Sequence, residues 1–80
     1  MLKIYGSLLC PDCVQCLEDL KQAGVSYEYL DFSKDLRNLK EFLVLREGKQ
    51  FVQIRQDGKI GIPCILKEDG TVLLDWEEVM

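Results

Sequence analysis

Eighty residues, 48 % of them apolar, with a formal net charge of −4, describe one globular domain with a small core and no general affinity for nucleic acid. The lack of histidine removes imidazole catalysis and histidine-containing metal sites, and no apolar run reaches the length of a membrane span. Met1 leads directly into a strand-like segment with no signal peptide, so the expected location is the cytoplasm, where cysteines serve catalysis or metal binding more often than structural bridges.

Leu2-Lys3-Ile4-Tyr5 alternates as a short strand, and a helix is predicted from Cys13 to Ala23. Pro11 suits the first turn of that helix, where its missing N–H would be unpaired anyway. Cys13, Cys16, Leu17 and Leu20 then recur at helical spacing, and Gly24 stops the helix as a left-handed cap. Ser26 to Phe32, rich in Tyr, Leu and Phe, reads as a second strand. Ser33 is expected to cap a second helix with Asp35 in its first turn, Leu36, Leu39 and Leu43 as its buried stripe helped by Phe42, and Gly48 at its end. Strand, helix, strand implies a parallel pair with a right-handed crossover.

Between Lys49 and Lys59, Phe51 and Ile54 form one face of a short helix ended by Gly58; a strand fragment over Phe51–Ile54 is the alternative. After Pro63 the chain reads as a hairpin, with Cys64–Lys67 and Thr71–Leu74 flanking Glu68-Asp69-Gly70. Trp76 to Met80 is expected to form a last helical turn that lays Trp76 on the sheet.

Cys10-Pro11-Asp12-Cys13 carries the chemistry. A strand-to-helix junction puts the first thiol at a helix N-terminus, where exposed N–H groups and the helix dipole favour an anion. A thiolate is the anion that attacks disulfides, so Cys10 reads as the nucleophile and Cys13, one turn further in, as the resolving thiol. Asp12 works against this, because a carboxylate between the cysteines disfavours a thiolate at Cys10 and offsets a dipole contribution of about 0.3–1 kcal/mol. Cys16 extends the spacing to C-x-x-C-x-x-C, and with Cys64 it raises a metal or cluster alternative. Each three-residue step along a helix turns by about −60°, which carries Cys16 round the axis from Cys10. It fits better as a small core residue beside Leu17 and Leu20. Gly61-Ile62-Pro63 is the second constellation; a proline opening a strand is ordinarily an edge residue.

With these motifs in place the whole chain resembles a glutaredoxin, or a small glutaredoxin-related protein of the thioredoxin fold. The likeness rests on Cys10-Pro11-Asp12-Cys13 after the first strand, Gly61-Ile62-Pro63 before the third, and the βαβ then ββα order. The resemblance implies a cis Ile62–Pro63 bond beside the dithiol, with the peptide groups of Ile62 pairing with the backbone of glutathione or a protein substrate. Pro11, Asp12, Ile62 and Pro63 are then the substrate-binding residues and Cys10 and Cys13 the catalytic ones. The chain also departs from the family. It has Asp12 where an aromatic residue is usual, Ser7 where lysine is frequent, and Gly61 where threonine is usual. Leu73-Leu74-Asp75-Trp76 stands where a Gly-Gly-x-Asp element normally holds a glutathione carboxylate. Arg55 and Lys59 are candidates to replace the missing charge.

The expected fold is therefore α/β, a thioredoxin-like, glutaredoxin-type single domain over residues 1–80, with a mixed four-stranded sheet and flanking helices. The expected activity is thiol–disulfide exchange on protein or small-molecule disulfides, with glutathione or a reductase protein as electron donor. No metal or organic cofactor, nucleic acid or membrane is expected. The rival functions are a metal or Fe–S cluster carrier through Cys10, Cys13, Cys16 and Cys64, and a non-catalytic interaction module.

Overall fold

The computed structural model describes residues 1–80. Strand β1 (Leu2–Gly6) runs into helix α1 (Pro11–Gln22), followed by β2 (Tyr27–Asp31) and α2 (Leu36–Leu45). A 3-10 turn (Lys49–Phe51) leads into the short α3 (Val52–Gln56), then β3 (Cys64–Leu66), β4 (Val72–Leu73) and a terminal 3-10 turn (Trp76–Val79). The strands form one sheet in the order β2-β1-β3-β4. β1 and β2 are parallel, whereas β3 runs antiparallel to both β1 and β4. This is the mixed four-stranded sheet expected from the element order.

Period-two alternation along the central strands sends neighbouring side chains to opposite faces. Ile4 and Ile65 join Cys16 and Leu20 of α1 in one buried cluster, against which Trp76 packs. Tyr5 and Cys64 join Phe42 of α2 and Phe51 in the other. The sheet is thus sandwiched between α1 on one face and α2 with α3 on the other. The T-shaped Phe42–Phe51 pair, with centroids 6.3 Å apart, ties α2 to the 3-10 turn that leads into α3. Trp76 is pinned by its indole N–H, which donates to Asp19 Oδ2 at 2.9 Å.

Several local expectations shift. α1 starts at Pro11 rather than Cys13, because Cys10, with extended backbone angles, is its N-cap. It ends at Gln22, and Gly24 takes the left-handed conformation (φ 73°). α2 is capped by Asp35, whose side chain accepts from the Arg37 N–H, and not by Ser33. The Ser33 hydroxyl is instead bound to the Asp31 carboxylate and to Ser7 Oγ. Leu36 and Leu43 are exposed, so the buried face of α2 is built on Phe42 with Leu39 beside it. α2 ends at Leu45, and Gly48 instead starts the next 3-10 turn. The stretch after it is helical, not a strand fragment, and Gly58 (φ 71°) closes it. The hairpin strands are shorter than expected but meet across the Asp69-Gly70 turn, where the Lys67 N–H donates to Thr71 O at 2.9 Å.

Candidate functional site

β1 is the centre of the site because its C-terminal end meets the N-terminal end of antiparallel β3. The pairing Tyr5↔Cys64 places Pro63 one residue beyond the ladder, at the same sheet edge from which Ser7–Leu9 carry the chain to Cys10. The Ile62–Pro63 peptide is cis. Two segments far apart in sequence thereby line one cleft of about 500 Å³: Cys10 and Asp12 from one side, Lys59, Ile60, Ile62 and Pro63 from the other. Ile54 and Leu74 supply further apolar surface.

Within α1 the two thiols differ in setting. Cys10 is partly exposed, its carbonyl accepts from the N–H groups of Cys13 (3.1 Å) and Val14 (3.2 Å), and its side chain makes no capping bond. Its own N–H donates to Ser7 O at 3.0 Å, which closes the loop tightly. Cys13 is fully buried, and burial pushes its thiol up to about 12. The Ser7 N–H beside the sulfur works in the opposite direction, and the adjoining Cys10 sulfur adds to the rise. Gly6 makes room for this sulfur: a Cβ there would stand 2.7 Å from Cys13 Sγ. One thiol is therefore available to an outside disulfide, and the other is held protonated behind it.

Behind Cys13 lies a polar group that sequence reasoning missed. Tyr29 donates to Asp31 Oδ2 at 3.3 Å, and the Ser33 N–H donates to Asp31 Oδ1 at 2.8 Å. The Ser33 hydroxyl holds the Asp31 carboxyl below the ordinary range, while burial and then Asp31 push the Tyr29 phenol up. Through Ser33 this group reaches Ser7 Oγ at 3.1 Å, and Ser7 Oγ accepts from the Leu9 N–H at 3.2 Å. Ser7 is buried, so this position is a strut of the loop that leads to Cys10 and not a surface site for a charge. No signal in the sequence ties Ser7 to Ser33; only the parallel β1–β2 register brings their loops together.

Of the residues read as substrate-binding, Asp12, Ile62 and Pro63 line the cleft with Cys10, whereas Pro11 does not. Arg55 is not free to supply charge: its Nη1 donates to the carbonyls of Arg46 (2.6 Å) and Gly48 (3.0 Å). Lys59 lies in the cleft wall. Glycine is required at position 61 for a steric reason. Its φ is +93°, and a Cβ would meet Phe51 Cε2 at 2.8 Å and Ile54 Cγ2 at 3.2 Å. The cysteines proposed as a ligand set are separated by the sheet, with Cys16 in one core cluster and Cys64 in the other. No three cysteine or carboxylate side chains gather into a group able to hold a metal ion. Burial pushes Cys16 up to about 11, with Asp19 adding to it, and Cys64 up to about 12.

No protein-family model matches the chain. An uncharacterised protein of Haemophilus influenzae is 36 % identical over 73 residues, spanning 90 % of this chain and 85 % of that one. Among solved structures, the crystal structure of the thioredoxin-like protein BC3987 is similar with a TM-score of 0.71 and 25 % identity, covering 99 % of this chain and 94 % of that one. The crystal structure of a mutant of that protein gives the same TM-score, with 93 % of that chain covered. No helix is long and apolar enough to cross a membrane.

Proposed function

This chain belongs to the same family as the Haemophilus influenzae protein and to the thioredoxin-fold superfamily, and we propose that its reaction is thiol–disulfide exchange of the glutaredoxin kind. The observation that carries this reading is the pairing of a partly exposed Cys10 at the start of α1 with a buried Cys13 one turn on, at the rim of a cleft walled by Ile62 and cis Pro63. The Cys10 thiolate attacks one sulfur of a substrate disulfide. A mixed disulfide forms at Cys10, and the departing thiolate takes up a proton. Cys13 then loses its proton and attacks Cys10 Sγ, the second substrate thiolate leaves, and the two electrons have passed to the substrate. A thiol donor reduces the Cys10–Cys13 disulfide to complete the cycle.

Disulfides within polypeptides are the substrate class that the cleft favours. Its walls are mainly apolar, and the edge at Pro63 offers the Ile62 peptide groups to an extended backbone. A protein reductase is the favoured electron source, because glutathione carries two carboxylates and the site has few cations for them. Ser7 is buried, Arg55 is engaged, and the cleft lining holds one lysine, Lys59, and one carboxylate, Asp12. We place this chemistry in the cytoplasm, where reduced thiols are the rule, with no metal or organic cofactor. The test is trapping. Cys13→Ser protein should accumulate mixed disulfides with a reducible polypeptide, whereas Cys10→Ser should trap none. Equal trapping by both, or by neither, overturns the reading.

A further inference from the structure

The wall of the cleft opposite Cys10 is an irregular segment, and irregular segments hold their shape only where their backbone groups are bonded. Between Gly58 and Pro63 there is no strand or helix, yet this stretch supplies Lys59, Ile60 and Ile62 to the cleft. Its carbonyls are held from another element. Arg46, the C-cap of α2, donates from Nε to Ile60 O at 2.9 Å and from Nη2 to Lys59 O at 2.6 Å. One planar guanidinium thus grips two successive carbonyls, a fixed-geometry fork that lysine cannot reproduce. Arg46 is itself held, because Arg55 donates to its carbonyl, at the C-cap of α2, and to that of Gly48, which also accepts from the Phe51 N–H at 3.1 Å. Two arginines in series therefore link α2 and α3 to the cleft wall.

We propose that Arg46 is a positioning residue for substrate: it holds the Lys59–Ile60 backbone so that Lys59, Ile60 and Ile62 face Cys10 across the cleft. This rests on the exchange reading above. Arg46 lines no part of the cleft and its guanidinium bonds only to the backbone of the cleft wall, so it acts on docking and not on the sulfur chemistry. Loss of the fork weakens the productive pose of a polypeptide and leaves the reactivity of Cys10 alone.

The test compares Arg46→Ala and Arg46→Lys with the unmodified protein, using reduction of insulin disulfides by the complete chain with dithiothreitol as the thiol donor. KM should rise by about fivefold or more in Arg46→Ala, and less in Arg46→Lys, with kcat within about twofold. Alkylation of Cys10 by iodoacetamide should keep its rate. Independently of turnover, the Lys59 amide, which donates to Ile54 O at 3.0 Å, should exchange with deuterium about tenfold faster or more in Arg46→Ala, with α1 amides unchanged. An unchanged KM in both variants overturns the proposal, as does a parallel fall in kcat and alkylation rate. Unchanged Lys59 exchange also overturns it. If the unmodified protein fails to reduce insulin, the exchange reading fails, and Lys59 amide exchange still decides whether Arg46 holds the wall.

Discussion

Three thiols in the core should make this domain unstable in mild alkali. Cys13, Cys16 and Cys64 are fully buried, and burial raises them from an ordinary value of 9.0 to about 12, 11 and 12. A raised folded value means that the native state keeps its protons while the unfolded chain releases them. The stability these thiols contribute is therefore complete below pH 9 and is lost as pH climbs towards their folded values. Each thiol removes about 1.4 kcal/mol per pH unit in that window. At pH 10 the three together remove about 4 kcal/mol, against a total of roughly 4–12 kcal/mol for a domain of this size. Urea denaturation of the fully reduced protein, followed by circular dichroism between pH 7 and 10.5, should show a plateau to about pH 8.5 and a steep fall beyond it. Cys16→Ala and Cys64→Ala should each flatten the fall by about 1.4 kcal/mol per pH unit, whatever they cost at neutral pH. A free energy flat to within about 1 kcal/mol from pH 8 to 10, or a slope indifferent to both substitutions, would refute the argument.

The same burial of Cys13 sets the pace of the second chemical step. Release of substrate from the Cys10 mixed disulfide should speed up about tenfold per pH unit between pH 7 and 9, as the scarce Cys13 thiolate becomes more populated; a flat quenched-flow profile would contradict this. Gly61→Ala must adopt a positive φ and displace the buried Phe51 ring, so about 3 kcal/mol should be lost and Tm should drop by roughly 12–24 °C; a drop under about 3 °C would show that the wall yields easily. Ser7→Lys, which a surface reading would use to restore a glutathione contact, should instead cost about 3 kcal/mol by breaking the Ser7–Ser33 link; an unchanged urea midpoint with faster glutathione turnover would reverse that reading.

Much of this protein is written in local signals. Pro11 at the first helical position, Gly24 and Gly58 in left-handed conformations, and Asp69-Gly70 in the hairpin each act within a few residues, through backbone sterics and helix-end hydrogen bonding. That is why the element order, the mixed sheet and the location of Cys10 at a helix start could be read without a structure. The spacing of Cys16 likewise identified it as a core residue, since helical rotation is fixed by the backbone alone.

What only the tertiary structure decided involves partners distant in sequence. Ser33 has the right chemistry for a helix cap, but Asp31 and Ser7 claim its hydroxyl, and Asp35 caps α2 in its place. Leu36 and Leu43 share the period of a buried stripe, yet the way α2 sits on the sheet buries Phe42 and leaves them in solvent. Arg55 has the charge to meet a substrate, but the carbonyls of Arg46 and Gly48, between α2 and the next turn, take its donors. The cleft itself exists because antiparallel β3 returns to the end of β1 from which Cys10 departs, bringing residue 63 to residue 10. Periodicity and caps depend on the nearest few residues, whereas hydrogen-bond competition and burial depend on which distant groups the sheet register brings within reach.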